Sequence, residues 1–376
     1  MPKKRRLQNN RLPHSDKTFL FLLLSWPAAA VLAVLAVSVP GFAQGYSATV
    51  YRVFNWALGG LFGLLPFSLA EILVYVLCAA LLFLLFYWLY RMVRAAGRFW
   101  TVLLRGLLRI ASIAGITLFA YLLLWGVNYH RPPFAELSGL PVRKASTDEL
   151  YALCKSLAAD ANSLRSPSYD DENGVFTLPY DHTTLFSQVS EGYRYAAEDY
   201  PVLQGVTGPP KAVLYSKGLS AMGISGIYIP FTFEANVNID TPDVSQPFAA
   251  CHEAAHLLGF AREDEANFIA YLACRYHKSP AFSYSGAYTA LIYATNALHS
   301  ASPSLYDDVM SLVSESVKQD MRYSTNYWDS FKGPIMDAQQ QINDRYLKAQ
   351  GQQDGVASYG RMVDLLLALH HQENPT

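Results

Sequence analysis

The chain has 376 residues, of which 52% are hydrophobic and only 16% are charged, so it is too apolar for an average soluble enzyme. Its net charge of −1 conceals two opposite parts. Residues 1–130 hold 12 of the 29 basic residues and 2 of the 30 acidic ones, and the other 17 and 28 follow. The length and this asymmetry predict two domains in different surroundings.

Residues 1–17 are polar and basic and include the run KKRR at positions 3–6. Such a run occurs in nucleic-acid-binding and nuclear-targeting segments, but directly before an apolar segment it is more typical of a cytoplasmic membrane flank. We therefore predict a cytoplasmic N-terminus and no nucleic-acid partner.

Three apolar segments, 18–39, 68–90 and 107–127, have about the 20 residues that a membrane-spanning helix needs, which predicts a lipid bilayer as a partner. The first could instead be a cleaved signal peptide, but its apolar length favours an uncleaved span. A shorter, glycine-interrupted run at 53–65 is predicted to be interfacial or re-entrant. Arginines concentrate between the second and third spans, so the positive-inside rule puts everything after residue 130 outside the cytoplasm.

Residues 131–376 read as one exterior domain, mostly helical with a small antiparallel sheet. Ser146 and Glu149 have the spacing of a capping box that opens a helix to residue 164. The strand signals are 211–216 and 226–239, and Pro230 predicts an edge strand, where a peptide substrate could pair or which could be a plain structural hairpin. Further helices are predicted at 185–199, 284–299, 304–323, 335–350 and 356–371.

The chemistry-bearing motif is His252-Glu253-x-x-His256, in a mostly apolar helical run followed by Gly259 as a helix stop. This spacing puts the two imidazoles one turn apart on a single helix face, where they can hold one Zn²⁺. The intervening Glu253 is placed to act as general base toward a water molecule.

A third ligand should lie on the next helix, which begins near the acidic residues 263–265. Glu263 shares a face with small residues that allow close approach to the first helix, so it is the predicted ligand. Glu265 lies on the face of the large apolar side chains and is the alternative.

Glu263-x-x-Ala266-Asn267 resembles the E-x-x-A-(D/N) element that supplies the third ligand in glutamate-type zinc peptidases, the gluzincins. More broadly, three stretches resemble a family of bacterial multi-span membrane proteins known only as a domain of unknown function: WGVNYHRPP (125–133), HEAAHLLGFAREDEANFIAYLAC (252–274) and YLKAQGQQDGVASYGRMVDLLLA (346–368). This resemblance implies a membrane anchor joined to a zincin-like domain in the bacterial plasma membrane.

The predicted function is therefore a membrane-anchored zinc metallopeptidase acting on an extracytoplasmic or membrane-proximal protein or peptide. The alternative is a sensor or scaffold that keeps the zinc-peptidase fold with little turnover; a transporter is disfavoured because the spans lack paired charges. Intramembrane cleavage is excluded because residues 240–250 and 262–265 are too polar. The oxyanion donor is left open among Tyr228, Arg262, Tyr359 and Arg361.

The four cysteines do not form a disulfide framework. A single Cys251–Cys274 bridge is conceivable, but two small buried apolar residues are the commoner arrangement.

Overall fold

The computed structural model describes residues 14–95, 97–206, 208–352 and 361–374, and this part of the chain is mostly helical with one small sheet. The helices are α1 (His14–Leu22), α2 (Ser25–Ser38), α3 (Phe42–Tyr46), α4 (Arg52–Phe54), α5 (Gly60–Gly63), α6 (Leu69–Val93), α7 (Phe99–Leu124), α8 (Phe134–Ser138), α9 (Thr147–Leu164), α10 (His182–Asp199), α11 (Ser216–Ala221), α12 (Gln246–Leu257), α13 (Glu263–Tyr276), α14 (Pro280–Ala301), α15 (Pro303–Leu312), α16 (Glu315–Asp329), α17 (Pro334–Ala349) and α18 (Met362–Glu373). The strands are β1 (Lys211–Ala212), β2 (Gly226–Ile229) and β3 (Glu234–Val237).

Three helical stretches, Asp16–Ser38, Leu69–Val93 and Phe99–Leu124, are long and apolar enough to cross a membrane. The first is α1 and α2 in succession, interrupted at residues 23–24, where Pro27 has no N–H to offer the Leu23 carbonyl. The third begins eight residues before the predicted 107, so it includes the arginine at 105 as well as the one at 109. Arg105 forms an ion pair with the buried Asp16 (2.9 Å).

Residues 42–63 form a continuous helical segment in which α3, α4 and α5 alternate with π turns at Ser47–Tyr51 and Asn55–Gly59. One face, with Tyr46, Tyr51 and Asn55, is buried. The other face exposes Val53 and Trp56. The predicted interfacial or re-entrant position of this segment stays a prediction, but its buried face packs against the domain that follows.

The domain core forms where α9, α10, α12, α13, α14 and α18 pack together, with α13 in the centre and its Phe268, Ile269 and Leu272 fully buried.

The capping box is confirmed: Glu149 N donates to Ser146 Oγ (3.2 Å) and Ser146 N to a Glu149 carboxylate oxygen (2.7 Å). The prediction of a single helix at 304–323 is wrong. It divides into α15 and α16 because Ser314 leaves the helix to cap α16, its Oγ accepting from Val317 N.

The sheet is mixed rather than antiparallel, with strand order β1-β3-β2. β2 and β3 are an antiparallel hairpin, while β1 pairs with β3 in parallel. The prediction of an antiparallel sheet was wrong. The chain reverses twice between β1 and β3, at α11 and at the 230–233 turn, so these two strands run in the same direction. The predicted 226–239 strand is this hairpin, and the 211–216 strand shortens to two residues. β2 lies at an edge of the sheet, as Pro230 predicts.

All four cysteines are free, and Cys154, Cys251 and Cys274 are buried. The buried-apolar interpretation of Cys251 and Cys274 is therefore the one the structure supports.

Candidate metal centre

The H-E-x-x-H motif lies on α12, deep in the domain. Apolar neighbours bury this helix on several sides, and Ala250, Cys251, Ala254 and Ala255 are fully buried. The helical spacing puts His252 and His256 on one face, with ring centroids 4.9 Å apart. The motif is therefore a buried pair of imidazoles rather than a surface coincidence.

A tight turn brings Glu263 to these imidazoles. α12 ends at Leu257, and Gly259 adopts φ +79°, a left-handed conformation that favours glycine and reverses the chain, as predicted from the sequence. α13 then begins at Glu263, whose Oε2 lies 3.1 Å from His252 Nε2 and 3.8 Å from His256 Nε2. One ligand atom from each of the three residues lies within 4.8 Å of the others.

The far side of each imidazole has a hydrogen-bond partner. His252 Nδ1 lies 2.8 Å from Asn267 Oδ1, and His256 Nδ1 lies 2.7 Å from the Phe260 carbonyl oxygen. Because a carbonyl oxygen only accepts, each Nδ1 carries a proton, and each Nε2 is the ring nitrogen on the side of Glu263 that is available to bind a metal ion. The position of Asn267 in the Glu263-x-x-Ala266-Asn267 motif marks this residue, but the sequence does not show its role.

These residues fit a zinc ion. Two neutral imidazole nitrogens and one carboxylate are an ordinary donor set for Zn²⁺, and ligand atoms at about 2.1 Å from a tetrahedral ion are about 3.4 Å apart. The 3.1 and 3.8 Å separations bracket this value. Burial also lowers the pKa of His256 to about 4, which keeps this imidazole neutral. In His252 burial is the largest single effect and also lowers the pKa, but the hydrogen bond to Glu263, the charges of Glu253 and Glu263 and the hydrogen bond to Asn267 together outweigh it and raise the pKa.

Glu265 is separate from this cluster. Its Oε1 accepts from Phe134 N (2.9 Å) and from the Arg262 guanidinium (2.9 Å), so its carboxylate joins α13 to the start of α8. Of the two carboxylates considered from sequence, the structure brings only Glu263 to the imidazoles.

Glu253 is buried beside the cluster, on the side of β2. A Cβ added to Gly226 would lie 2.5 Å from Glu253 Oε1, so the carboxylate fits only because β2 has no side chain there. Its Oε2 is buried and makes no hydrogen bond to any residue that the structure describes. Burial raises the pKa of Glu253 to about 8. This carboxyl group is therefore poised to exchange a proton near neutral pH.

His252, Glu253, His256 and Glu263 open onto a cleft of about 730 Å³. One wall is the Gly223–Tyr228 stretch, including the free edge of β2. The remaining lining comes from the residues that follow α7, from the start of α12, and from α13, α14, α16 and α17: Trp125, Tyr129, Ser245, Phe248, Ala249, Asn267, Thr289, Tyr293, Trp328, Gln339, Gln340, Asn343 and Tyr346. Sequence reasoning missed Trp125, Tyr129 and the contribution of α17, because nothing local marks residues so distant in the chain as neighbours.

The four candidate oxyanion donors do not share one place. Tyr228 lines the cleft, and its hydroxyl lies 3.0 Å from the Tyr51 hydroxyl. Arg262 and Arg361 line a different cavity, and Arg361 is paired with Asp264 (3.4 Å). Tyr359 lies outside the described residues.

A donor that the sequence did not suggest is Tyr293 of α14, which lines the metal cleft. Its hydroxyl accepts a bond from Asn267 Nδ2 (3.4 Å). The pattern of α14 contains several tyrosines, and only the fold distinguishes this one.

The C-terminal carbonyls of α12 are bound by residues from outside the domain core. Tyr51 OH donates to His256 O (3.0 Å), and Asn55 Nδ2 donates to Leu257 O (2.7 Å). Arg131 Nη1 donates to the Leu258 and Gly259 carbonyls (3.0 and 2.8 Å). The 42–63 segment and Arg131 thus hold the end of the H-E-x-x-H helix in place.

No curated protein and no solved structure matches this chain. One family model matches residues 46–367. The match includes most of the 42–63 segment, α6, α7 and the cluster of His252, His256 and Glu263, the candidate metal cluster. The matched region covers most of the chain, and the chain therefore belongs to the family described as "Protein of unknown function (DUF3810)".

Proposed function

We propose that this protein is a membrane-anchored zinc metallopeptidase that hydrolyses peptide bonds of an extracytoplasmic or membrane-proximal protein or peptide. The observation that carries the proposal is the convergence of His252, His256 and Glu263 beside the buried carboxyl of Glu253, at the bottom of an open cleft. The donor set suits zinc, and the neighbouring acid suits hydrolysis.

In this proposal His252, His256 and Glu263 hold the ion, and Asn267 and the Phe260 carbonyl fix the two imidazoles. A bound zinc ion would supply Lewis-acid polarisation of the scissile carbonyl and would acidify a water molecule. Glu253 takes the proton from that water and passes it to the leaving amine. The oxyanion donor is one of the tyrosine hydroxyls of the cleft, which carries Tyr129, Tyr228, Tyr293 and Tyr346.

Glu253 favours a hydrolase over a sensor or scaffold. A buried carboxylate oxygen without a partner costs about 1–3 kcal/mol or more, so burial of this group is unfavourable for stability alone. A metal site used only for binding needs the three ligands but not this acid. Gly226 preserves the space for it.

The cleft has the shape that an extended peptide needs. β2 pairs with β3 on one side, and its other edge lines the cleft beside Glu253. A substrate strand could add to this edge by main-chain hydrogen bonds, which would present a peptide bond to the metal cluster.

We further propose that the protein resides in a bacterial plasma membrane with three spans, a cytoplasmic N-terminus and an extracytoplasmic domain. Three helices have the length and apolar surface for this, and the basic residues that flank them concentrate on one side, before the first span and between the second and third. A reporter fused after residue 135 should be active only as an exterior reporter. A cytoplasmic signal there would overturn this topology.

The test of function uses the full chain purified in detergent and measures bound zinc per chain together with cleavage of a random peptide library. We expect about one zinc in the parent and cleavage that stops on chelation. Glu253→Gln is the matched variant, because it keeps the shape of the side chain but removes the base. It should retain zinc and lose turnover by about 100-fold or more.

His256→Ala should lose both zinc and turnover. A parent without zinc after reconstitution, or a Glu253→Gln variant that cleaves like the parent, would overturn the proposal.

A further inference from the structure

The position of the cleft relative to the candidate spans restricts what can enter it. α7 exposes apolar side chains as far as Leu118, which is 37% exposed, and its last turn is partly covered by the domain. Trp125, seven residues further on, is 4% exposed and stacks edge-on against His256 with ring centroids 5.6 Å apart. A metal ligand thus lies one side chain away from the end of the third candidate span.

Helical rise converts this spacing to a depth. Seven residues at 1.5 Å each put Trp125 about 10 Å beyond the last lipid-facing turn. The polar headgroup layer of one leaflet is about 5–8 Å thick. With α7 spanning as proposed, the metal cluster lies just outside the headgroups.

The sheet that forms the other wall is fixed to the second candidate span. Glu234, the first residue of β3, accepts hydrogen bonds from Leu69 N (3.1 Å) and Ala70 N (2.6 Å) at the start of α6. Lys211 of β1 bonds both to Glu234 and to the Phe62 carbonyl (2.6 Å). These groups are nearly all buried, so the cleft cannot move away from the membrane without breaking them.

The chemistry of the lining points to an uncharged stretch of substrate. Among the described residues that line the cleft there is no Lys, Arg or Asp, and the only Glu residues are Glu253 and Glu263. A chain terminus is charged at neutral pH, and a side chain of opposite charge is a common means of recognising it. With both acids assigned to the metal and to proton transfer, the cleft offers no such group for either terminus.

We infer that the substrate is a membrane-tethered polypeptide, cut internally at an uncharged, extended segment immediately outside its own membrane span. This inference rests on the proposed peptidase activity. An extended chain advances about 3.3 Å per residue, so about three residues span the distance of about 10 Å from the last lipid-facing turn to the level of Trp125, next to His256. The cleavage site lies within about ten residues of the end of the substrate's span.

The experiment expresses the full chain with a library of random eight-residue segments presented in three carriers. The first carrier places the segment directly after a single span, on the side of the cleft. The second separates the same segment from the span by a folded spacer domain, and the third is a soluble carrier without a span. Mass spectrometry identifies the cut positions, and Glu253→Gln is the background control.

We expect cleavage of the first carrier at least about tenfold faster than of the other two, because tethering raises the local concentration at the cleft. Cut positions should be internal and depleted in Lys, Arg, Asp and Glu. Equal cleavage of all three carriers, or trimming from a free terminus, would overturn this inference and leave the peptidase proposal standing. No cleavage of any carrier by a zinc-loaded parent would overturn both.

Discussion

At the scale of single residues, Gly226 of β2 and Glu253 of α12 depend on each other. The Glu253 carboxylate is buried in the space that a side chain at position 226 would fill. A methyl group on Gly226 would lie 2.5 Å from Glu253 Oε1 and 2.8 Å from its Cδ. These separations are too short for contact, so the carboxylate must rotate away. Misplacing a catalytic group by about 1 Å costs on the order of 100-fold in rate.

Gly226→Ala should therefore reduce the cleavage rate by about 10- to 100-fold while zinc content stays at the parent level. The measurements are the initial rate on the span-proximal carrier and bound zinc per chain. Gly333→Ala is the matched control, since among the described residues no atom beyond its own chain neighbours lies within 4 Å of the Cβ it would add. Parent-like turnover in Gly226→Ala would show that Glu253 is not the base.

The two carboxylates Glu263 and Glu265 should respond in opposite ways to removal. Glu263→Ala removes a proposed ligand, and bound zinc should be lost while the fold persists. Glu265→Ala should keep zinc but lower the melting temperature by several degrees, because Phe134 N and Arg262 lose a buried partner worth about 1–3 kcal/mol. Zinc analysis and thermal unfolding of both variants check this. Zinc loss in Glu265→Ala alone would reverse the assignment.

At the scale of elements, the end of α12 depends on a segment some 200 residues away. The last carbonyls of a helix have no partner within it and must find one elsewhere. Here Tyr51, Asn55 and Arg131 supply the donors, next to the candidate metal ligand His256. The 42–63 segment therefore positions the candidate metal site and also flanks the candidate spans.

Replacing the two 42–63 donors together, as Tyr51→Phe and Asn55→Ala, should weaken zinc binding and lower stability by about 1–3 kcal/mol for each carbonyl left without its bond. The expected result is an increase of about tenfold or more in the zinc dissociation constant, measured by competition with a chelator. Thr49→Val is the control, since the Thr49 hydroxyl is exposed and bonds only within its own segment. Unchanged zinc affinity would mean that the helix end needs no such support.

The sequence predicts elements well where a local signal exists and poorly where contacts are distant. The capping box at Ser146 and the glycine stop at Gly259 are local chemistry, and the structure confirms both. The parallel pairing of β1 depends on a strand far along the chain, and at Ser314 the local cap is joined by a distant contact, in which Ser314 N donates to Asn162 Oδ1 (2.8 Å). The predictions of an antiparallel sheet and of a single helix at 304–323 were therefore wrong. The same reason hid Tyr51, whose partner is 205 residues away. Periodicity identifies a buried helix face but not what covers it.

At the scale of the whole molecule, the apolar helices and the helical domain are joined by buried polar contacts rather than by a flexible linker. Glu234 caps α6 while paired with Lys211, and Arg131 closes the end of α12. Buried ion pairs with complete hydrogen bonding are costly to break from one side. The domain should therefore stay in register with the candidate spans.

This coupling predicts that the domain stays attached after the covalent connection is cut. Residues 141–145 are exposed and outside any helix, so a specific protease site inserted there should be accessible in the full chain. After cleavage in membranes, we expect the domain to remain bound in about 1 M salt, because screening acts strongly only on exposed charges. Tyr51, Asn55 and Arg131 all lie before the cut and stay with the apolar helices. Because the bound domain keeps its contacts with them, it should also retain zinc. Glu234→Ala, which removes the cap of α6, should release more domain under the same wash. If salt fully released the cleaved domain from the protein that keeps Glu234, the contacts between the apolar helices and the domain would be too weak to fix the cleft beside the membrane.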